Sequence, residues 1–266
     1  MLGSPGRGGM GDIPLPLLEL IGRSSAAQYL EADGQGGLRF TTARAALHDD
    51  IVRRFTKGIP KSQSPTVYML GGGPAAGKST MLASGKLKMP TGGKDAVLVN
   101  PDEVKELLPE YQQRVKAGDL TAAAFVHEES SYVAKRILRA AIENGQDVVH
   151  DGVGANYERV IEEARPRGYT VRGYYAYVPD PELAVKRAAE RAKKTGRAVP
   201  ESYIRERHRK IAQIFPDAAK KLDSVELFET SSEARLVAQG DQGNLQILDV
   251  AAYEVFLKIG RDELWA

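Results

Sequence analysis

Apolar and polar positions follow two periods along this chain, and the two take turns. Residues 41–57 set Ala43, Ala46, Leu47, Ile51, Val52 and Phe55 at helical spacing, with Thr41 or Thr42 available as N-cap. Residues 59–65 (IPKSQSP) then read as a proline-bearing linker. From residue 66 onward, short apolar runs alternate with longer amphipathic segments. The runs at 66–70 (TVYML), 96–99 (AVLV), 147–150 (DVVH), 169–178 (YTVRGYYAYV) and 225–228 (VELF) predict five strands. Helices are predicted from 78 onward and over 101–116, 121–143, 156–165, 181–194 and 201–221, with breaks expected at Pro109 and Pro216. Near the end, 236–238 and 245–248 flank Gly240, Gly243 and Asn244, the signature of a hairpin, and 250–259 closes as a helix.

Strands alternating with helices predict an α/β fold: a mostly parallel sheet covered on both faces. Three regions follow. Residues 1–40 are expected to be flexible or loosely structured, because 1–11 are Gly-rich without an apolar run and GQGG at 34–37 reads as a loop. Residues 41–65 are the helix and linker. Residues 66–266 are the α/β domain with its C-terminal extension.

Composition narrows the function. Lys plus Arg is 37 and Asp plus Glu is 35, a net charge of +2. So even a balance argues against nucleic acid or an anionic membrane as partner. There is no cysteine, which removes disulfides and thiol catalysis and suits a reducing compartment. No run reaches the ~18 apolar residues of a membrane-spanning helix. A cytoplasmic location is the expectation.

The chemistry begins where the first parallel strand ends. Gly72-Gly73-Pro74-Ala75-Ala76-Gly77-Lys78-Ser79, followed by Thr80, fits G-x-x-x-x-G-K-[ST]. A loop that wraps an anion must turn backbone N–H groups inward, and small residues permit it. The following helix adds its positive end. Lys78 brings a mobile charge for the β/γ-phosphates, and Ser79 a hydroxyl for Mg²⁺. The fold expected is therefore the three-layer P-loop NTPase fold with a five-stranded sheet.

Ligands of open α/β sheets gather at the carboxyl ends of the strands. Asp102 and Asp151 stand at two such ends. Asp102 is the candidate base that orients an acceptor hydroxyl and takes its proton. Asp151, before Gly152, is placed to hold the acceptor, or Mg²⁺ through water. His127-Glu128-Glu129-Ser130-Ser131 starts like H-E-x-x-H but puts Ser131 where the second His belongs, so metal hydrolysis is unsupported. Glu128 and Glu129 are read as acceptor contacts, or else as a solvated charged face. Arg187, Arg191, Arg197, Arg205, Arg207 and Arg209 crowd around Gly196. Guanidinium forks match the oxygens of a transferring phosphoryl group, and a Gly bend between two helices suits a closing lid.

GGGPAAGKST at 71–80, VNPDEVKELLPEY at 99–111, HEESS at 127–131, DGVG at 151–154 and TGRAVP at 195–200 together resemble the zeta toxin family of P-loop kinases, over about residues 40–230. The resemblance implies phosphoryl transfer from ATP or GTP, with Mg²⁺, to a small-molecule hydroxyl; the family's known acceptor is the 3′-hydroxyl of UDP-N-acetylglucosamine. It implies that Lys78 and Ser79 hold phosphate and Mg²⁺, that Asp102 is the base, and that Asp151 takes the place of an acceptor-site Glu. Arg197, and with it Arg191, match arginines that steady the transferring group. It also brings an antitoxin protein into view as a partner. The family pattern E-G-T-x-R is here Asp151-Gly152-Val153-Gly154-Ala155, so two acceptor contacts of that pattern are replaced by Val153 and Ala155. Other readings of the same loop are an antibiotic or nucleoside phosphotransferase, a nucleotide-dependent NTPase switch, and a nucleic-acid 5′-hydroxyl kinase.

Overall fold

The computed structural model describes residues 24–89, 94–119, 121–152, 154–195 and 198–264 of the 266. They fall into two compact units. One holds the described residues up to Lys57 together with Pro101–Ile137; the other holds Gly58–Asn100 and the described residues from Leu138 onward. The sequence draws its boundaries at 40 and 65 instead, because a chain that leaves a unit and returns to it leaves no local mark.

The second unit carries the sheet. In chain order its strands are β3 (Thr66–Gly71), β4 (Val97–Val99), β5 (Val148–Asp151), β6 (Thr170–Tyr177), β7 (Ser224–Glu229), β8 (Arg235–Asp241) and β9 (Asn244–Ile247). Their spatial order is β4-β5-β3-β6-β7-β8-β9. The first five are parallel, and they are the five strands the apolar runs predict. The sheet nevertheless has seven strands. The predicted hairpin does form, but β8 pairs antiparallel with β7, from Ser224 opposite Asp241 to Glu229 opposite Arg235, and so extends the same sheet. Its turn is Gln242-Gly243, both at positive φ (47° and 84°), as a tight hairpin requires.

Every residue of β3 is buried, as expected of a central strand flanked on both edges and covered on both faces. Tyr68 and Leu70 join Met81, Val149, Tyr174 and Phe228 in one apolar layer. Tyr175 and Tyr177 belong to a second, aromatic cluster. Phe215 stands edge-on to Tyr175 at 5.3 Å, and Phe256 lies 4.9 Å from Tyr177. Phe215 lies on Glu201–Lys221 and Phe256 on Val250–Gly260, the last two helices of the chain. Helix Glu201–Lys221 runs unbroken through Pro216. A mid-helix proline costs about 3 kcal/mol. Burial of Ile204, His208, Ile211, Phe215 and Ala219 along one stripe outweighs that cost, at about 1.5–3 kcal/mol for each large apolar side chain.

In the first unit, residues 24–40 are not loosely structured. They form α1 (Ser25–Gln28) and a hairpin of β1 (Leu30–Ala32) with β2 (Leu38–Phe40). The GQGG stretch is its turn, tied by Asp33 Oδ1, which accepts from the Gln35 and Gly37 amides at 2.8 Å each. The expectation of disorder for 1–11 lies outside the described residues. Helix α2 (Thr42–Thr56) follows, capped by Thr41, one of the two candidates the sequence offers. The predicted helix over 101–116 does break before Pro109, giving Pro101–Lys105 and Pro109–Lys116. The one predicted over 121–143 is two helices, Ala122–Phe125 and His127–Glu143. No Gly or Pro signals that break; Val126 leaves helical geometry where it becomes fully buried.

Candidate active site

Strand β3 hands over to the loop 72–77 and then to helix Lys78–Ala83. Gly77 caps that helix at φ 82°, a left-handed conformation open to a residue without Cβ. Ala75 also sits left-handed, at φ 59°, which strains an L-residue. The loop's carbonyls are tied to protein groups. Lys78 Nζ donates to Gly72 O at 3.0 Å and to Gly73 O at 3.4 Å. Pro74 O bonds His208 Nε2 at 2.9 Å. Ala76 O accepts from Thr230 Oγ1 at 2.6 Å. Ser79 and Thr80 are exposed in the first helical turn.

The strand register sets Asp151 beside this loop. It pairs with Leu70, one residue before β3 ends, and Gly152 N donates to Leu70 O. Asn100, which follows β4, donates from Nδ2 to Asp151 Oδ2 at 3.1 Å. Val153 lies outside the described residues. His150, next to Asp151, is buried, and that burial holds its imidazole down at about 4.

In the first unit, Asp102 is the second residue of helix Pro101–Lys105. Its Oδ1 accepts from Lys105 Nζ at 2.8 Å, and the lysine is almost wholly enclosed. Glu129 is fully buried rather than solvent-facing. Its Oε1 bonds Arg44 Nε (2.5 Å) and His48 Nε2 (2.7 Å); its Oε2 bonds Ser25 Oγ (2.5 Å) and Arg44 Nη2 (2.9 Å). Four donors fill the four lone-pair directions of a carboxylate, which leaves none for a ligand. Burial would raise its pKa, but the hydrogen bonds from His48, Arg44 and Ser25 outweigh that and bring it to about 2. Arg44 also forks onto Glu110, at 3.0 and 2.7 Å. The acceptor-binding reading of Glu129 thus gives way to a structural one, because partners 81 to 104 residues upstream claim the side chain. Glu128 is half-buried on the same helix.

Helix Pro181–Thr195 carries Arg187 and Arg191. Arg187 is bound to the protein itself, donating to Thr230 O and Ser231 O at 2.9 and 2.7 Å. Arg191 is exposed, and Arg197 lies outside the described residues. Arg205 pairs with Glu201 and Glu182, and Arg209 with Asp262. Arg207 instead lies over the Tyr203 ring, at 4.7 Å.

The residues that sequence reasoning missed are His208, Thr230, Asn100 and Lys105. His208 had a signal: it stands on the apolar stripe of its helix between Ile204 and Ile211. Thr230 had none. Among the described residues no group of three or more His, Cys, Asp or Glu could hold a metal. Among the described residues, too, no helix is long and apolar enough to cross a membrane.

Strand, glycine-rich loop, lysine and helix, set in a mostly parallel sheet, define the P-loop phosphotransferase class. The sequence profile of the zeta toxin family matches residues 49–242, well over half the chain, and the chain belongs to that family. It is 28% identical to a calmodulin calcium-dependent NAD kinase of Arabidopsis thaliana, over 70% of this chain and 44% of that protein. It is 26% identical to a toxin zeta of Streptococcus agalactiae, over 48% of this chain and 45% of that one. The chain thus spans less than half the length of these curated relatives. Among solved structures, the AvrRxo1-ORF1:AvrRxo1-ORF2 complex, also solved with ATP, matches with a TM-score of 0.66 at 20% identity, over 82% of this chain and 73% of that one. The PezAT chromosomal toxin-antitoxin system of Streptococcus pneumoniae matches at 0.56 and 16%, over 85% and 96%. At such identities these structures speak for the fold.

Proposed function

We propose that the protein is a kinase that transfers the γ-phosphoryl group of ATP, or of GTP, to a hydroxyl of a small molecule containing a nucleotide. The observation that carries this is the glycine-rich loop 72–77 between β3 and helix Lys78–Ala83, with the carbonyls of Gly72, Pro74 and Ala76 bound by Lys78, His208 and Thr230. Lys78 would meet the β/γ-phosphates. Ser79 would hold Mg²⁺, which supplies charge neutralisation across the phosphates when bound. Asp102 would orient the acceptor hydroxyl and take its proton. Asp151, fixed by Asn100, would bind the acceptor, and Arg191 and Arg197 would steady the transferring group. A cytoplasmic site of action suits a chain without cysteine.

UDP-N-acetylglucosamine is the first acceptor to try, on family grounds. A second reading, NAD, is favoured by a specific observation: the NAD kinase relative aligns with 70% of the chain, against about half for the toxin zeta of Streptococcus agalactiae. The replacements Val153 and Ala155 also remove contacts of the amino-sugar pattern. The deciding experiment incubates the protein with Mg²⁺-ATP and each acceptor in turn, and identifies products by mass, with Asp102→Ala and Lys78→Ala beside it. An acceptor heavier by one phosphoryl group supports the kinase and names the substrate. ADP formed equally with and without every acceptor would replace the kinase by an NTPase switch. Full turnover in purified Asp102→Ala would remove the base assignment. An antitoxin partner is proposed on the same family grounds. Co-expression with the product of an adjacent open reading frame tests it, and separate elution of the two proteins would count against it.

A further inference from the structure

A loop that cradles phosphate must aim its amides inward. In a trans peptide the carbonyl points opposite to the N–H of the next residue. The carbonyls of such a loop are therefore driven into the protein, where each needs a donor. Two of those donors come from far along the chain. His208, from helix Glu201–Lys221, reaches Pro74 O at 2.9 Å across 134 residues. Thr230, just past β7, reaches Ala76 O at 2.6 Å across 154. The Thr230 hydroxyl also lies 3.0 Å from Tyr177 O, and the shorter of its two contacts is the one to Ala76 O.

We propose that His208 is a positioning residue for nucleotide phosphate: its Nε2–H holds the Pro74 carbonyl and so aims the Ala75 amide into the cradle, as Thr230 does for the Gly77 amide. This rests on the nucleotide-binding reading above and goes beyond the residues of the loop motif.

Three further observations fit. A carbonyl can only accept, so the bond fixes the proton on Nε2. The imidazole is buried, and both burial and the nearby Lys78 charge hold it neutral, its pKa down at about 4. It thus keeps one donor and adds no positive charge beside the lysine. Third, the ring lies against the bare Cα of Gly73; a Cβ there would come 2.1 Å from His208 Cδ2. Gly73 makes room for the ring as well as for an anion. Ala75, strained at φ 59°, is the residue whose amide the His208 bond directs.

The test compares His208→Gln, which restores an N–H near the Nε2 position, with His208→Leu, of similar bulk but without a donor. MgADP affinity is measured by calorimetry on each, with the melting midpoint of the nucleotide-free protein as a control for packing. Where an acceptor is turned over, KM for ATP and kcat are read separately. The Leu variant should bind MgADP about tenfold or more weakly and raise KM for ATP by a like factor with kcat nearly kept; Gln should stay within about threefold of the parent. Both should melt at similar temperatures. Equal affinity in Leu and Gln, or a loss that follows the melting midpoint alone, would overturn the proposal while leaving nucleotide binding intact. Failure of the unaltered protein to bind MgADP would overturn the nucleotide reading, and this proposal with it.

Discussion

Two of the places where the molecule buries polar groups are treated differently. In the first unit, Arg44 faces Glu110 and Glu129, and Ser25 and His48 complete the set. Each charge meets an opposite charge or a donor of the same unit, so the charges are closed among themselves, while His48 Nδ1 is buried without a hydrogen-bond partner. In the second unit, the loop after β3 has its carbonyls tied down by Lys78, His208 and Thr230. There the carbonyls of Gly72, Gly73, Pro74 and Ala76 are answered by the protein, and the Ala76 amide is too, donating to Gly73 O at 3.2 Å, while the amides of Ala75 and Gly77 are the ones proposed to face a ligand. A closed set of partners marks structure, even when its residues sit in a motif. A set in which one sign is pinned and the other is directed outward marks a binding site. HEESS and GPAAGKS look equally chemical as strings, and their partners separate them.

The largest effect should come from removing the open site's charge. Lys78→Ala should lower kcat/KM by about 10²–10³-fold or more, as loss of a phosphate-neutralising group does. Far-UV circular dichroism should stay unchanged. A variant that keeps more than a tenth of the activity would deny Lys78 its role. The closed cluster should respond in stability instead. Arg44→Met leaves the buried Glu129 and the partly buried Glu110 without their cation and should cost about 3–5 kcal/mol in urea unfolding. A loss below about 1 kcal/mol would mean the cluster is not the closed unit described.

Acid should weaken both regions, in different windows. His150 and His208 have folded pKa values near 4, below the ordinary 6.5, so the unfolded chain binds more protons between those values. Their contribution is complete above about pH 6.5 and is lost as pH falls toward 4. Each shift corresponds to about 3 kcal/mol at most. Glu129, lowered from 4.5 to about 2, contributes fully above pH 4.5 and loses that contribution below it. Denaturation midpoints measured from pH 7 to 3 should fall first between 6.5 and 4, and His208→Gln should flatten that first slope. An unchanged slope in the Gln variant would mean His208 is not buried neutral.

Much of this could be read along the chain, because it is local. Five strands, the Thr41 cap, the break before Pro109 and the loop at 72–79 each arise from neighbours within a turn or two. What could not be read depends on partners far away. The hairpin carried its own turn signal, but joining the sheet depends on register with β7. Pro216 should have broken a helix, and an aromatic cluster assembled from three separate elements keeps it whole. Glu129 looked like a surface or acceptor group until Arg44 and His48, more than 80 residues upstream, claimed it. Asp102 was visible, while its partner Lys105, three residues on, passed as an ordinary helix lysine.

The smallest predicted effect asks whether the open site holds strain for a purpose. Ala75 keeps φ at 59°, which costs an L-residue roughly 1–2 kcal/mol. Glycine would remove that cost, but it adds about 0.4–1 kcal/mol of unfolded-state entropy. Ala75→Gly should therefore be stabilising by about 1 kcal/mol or less, a rise of roughly 2 °C in melting midpoint at this size. If the left-handed turn at Ala75 is there to present its amide, freeing it should loosen MgADP binding by a few-fold even as the fold gains. Opposite signs in the two measurements would show stability held below its maximum at the cradle in exchange for binding. A gain in both would mean that the strain at Ala75 is incidental, and that the pins from His208 and Thr230 suffice to shape the loop.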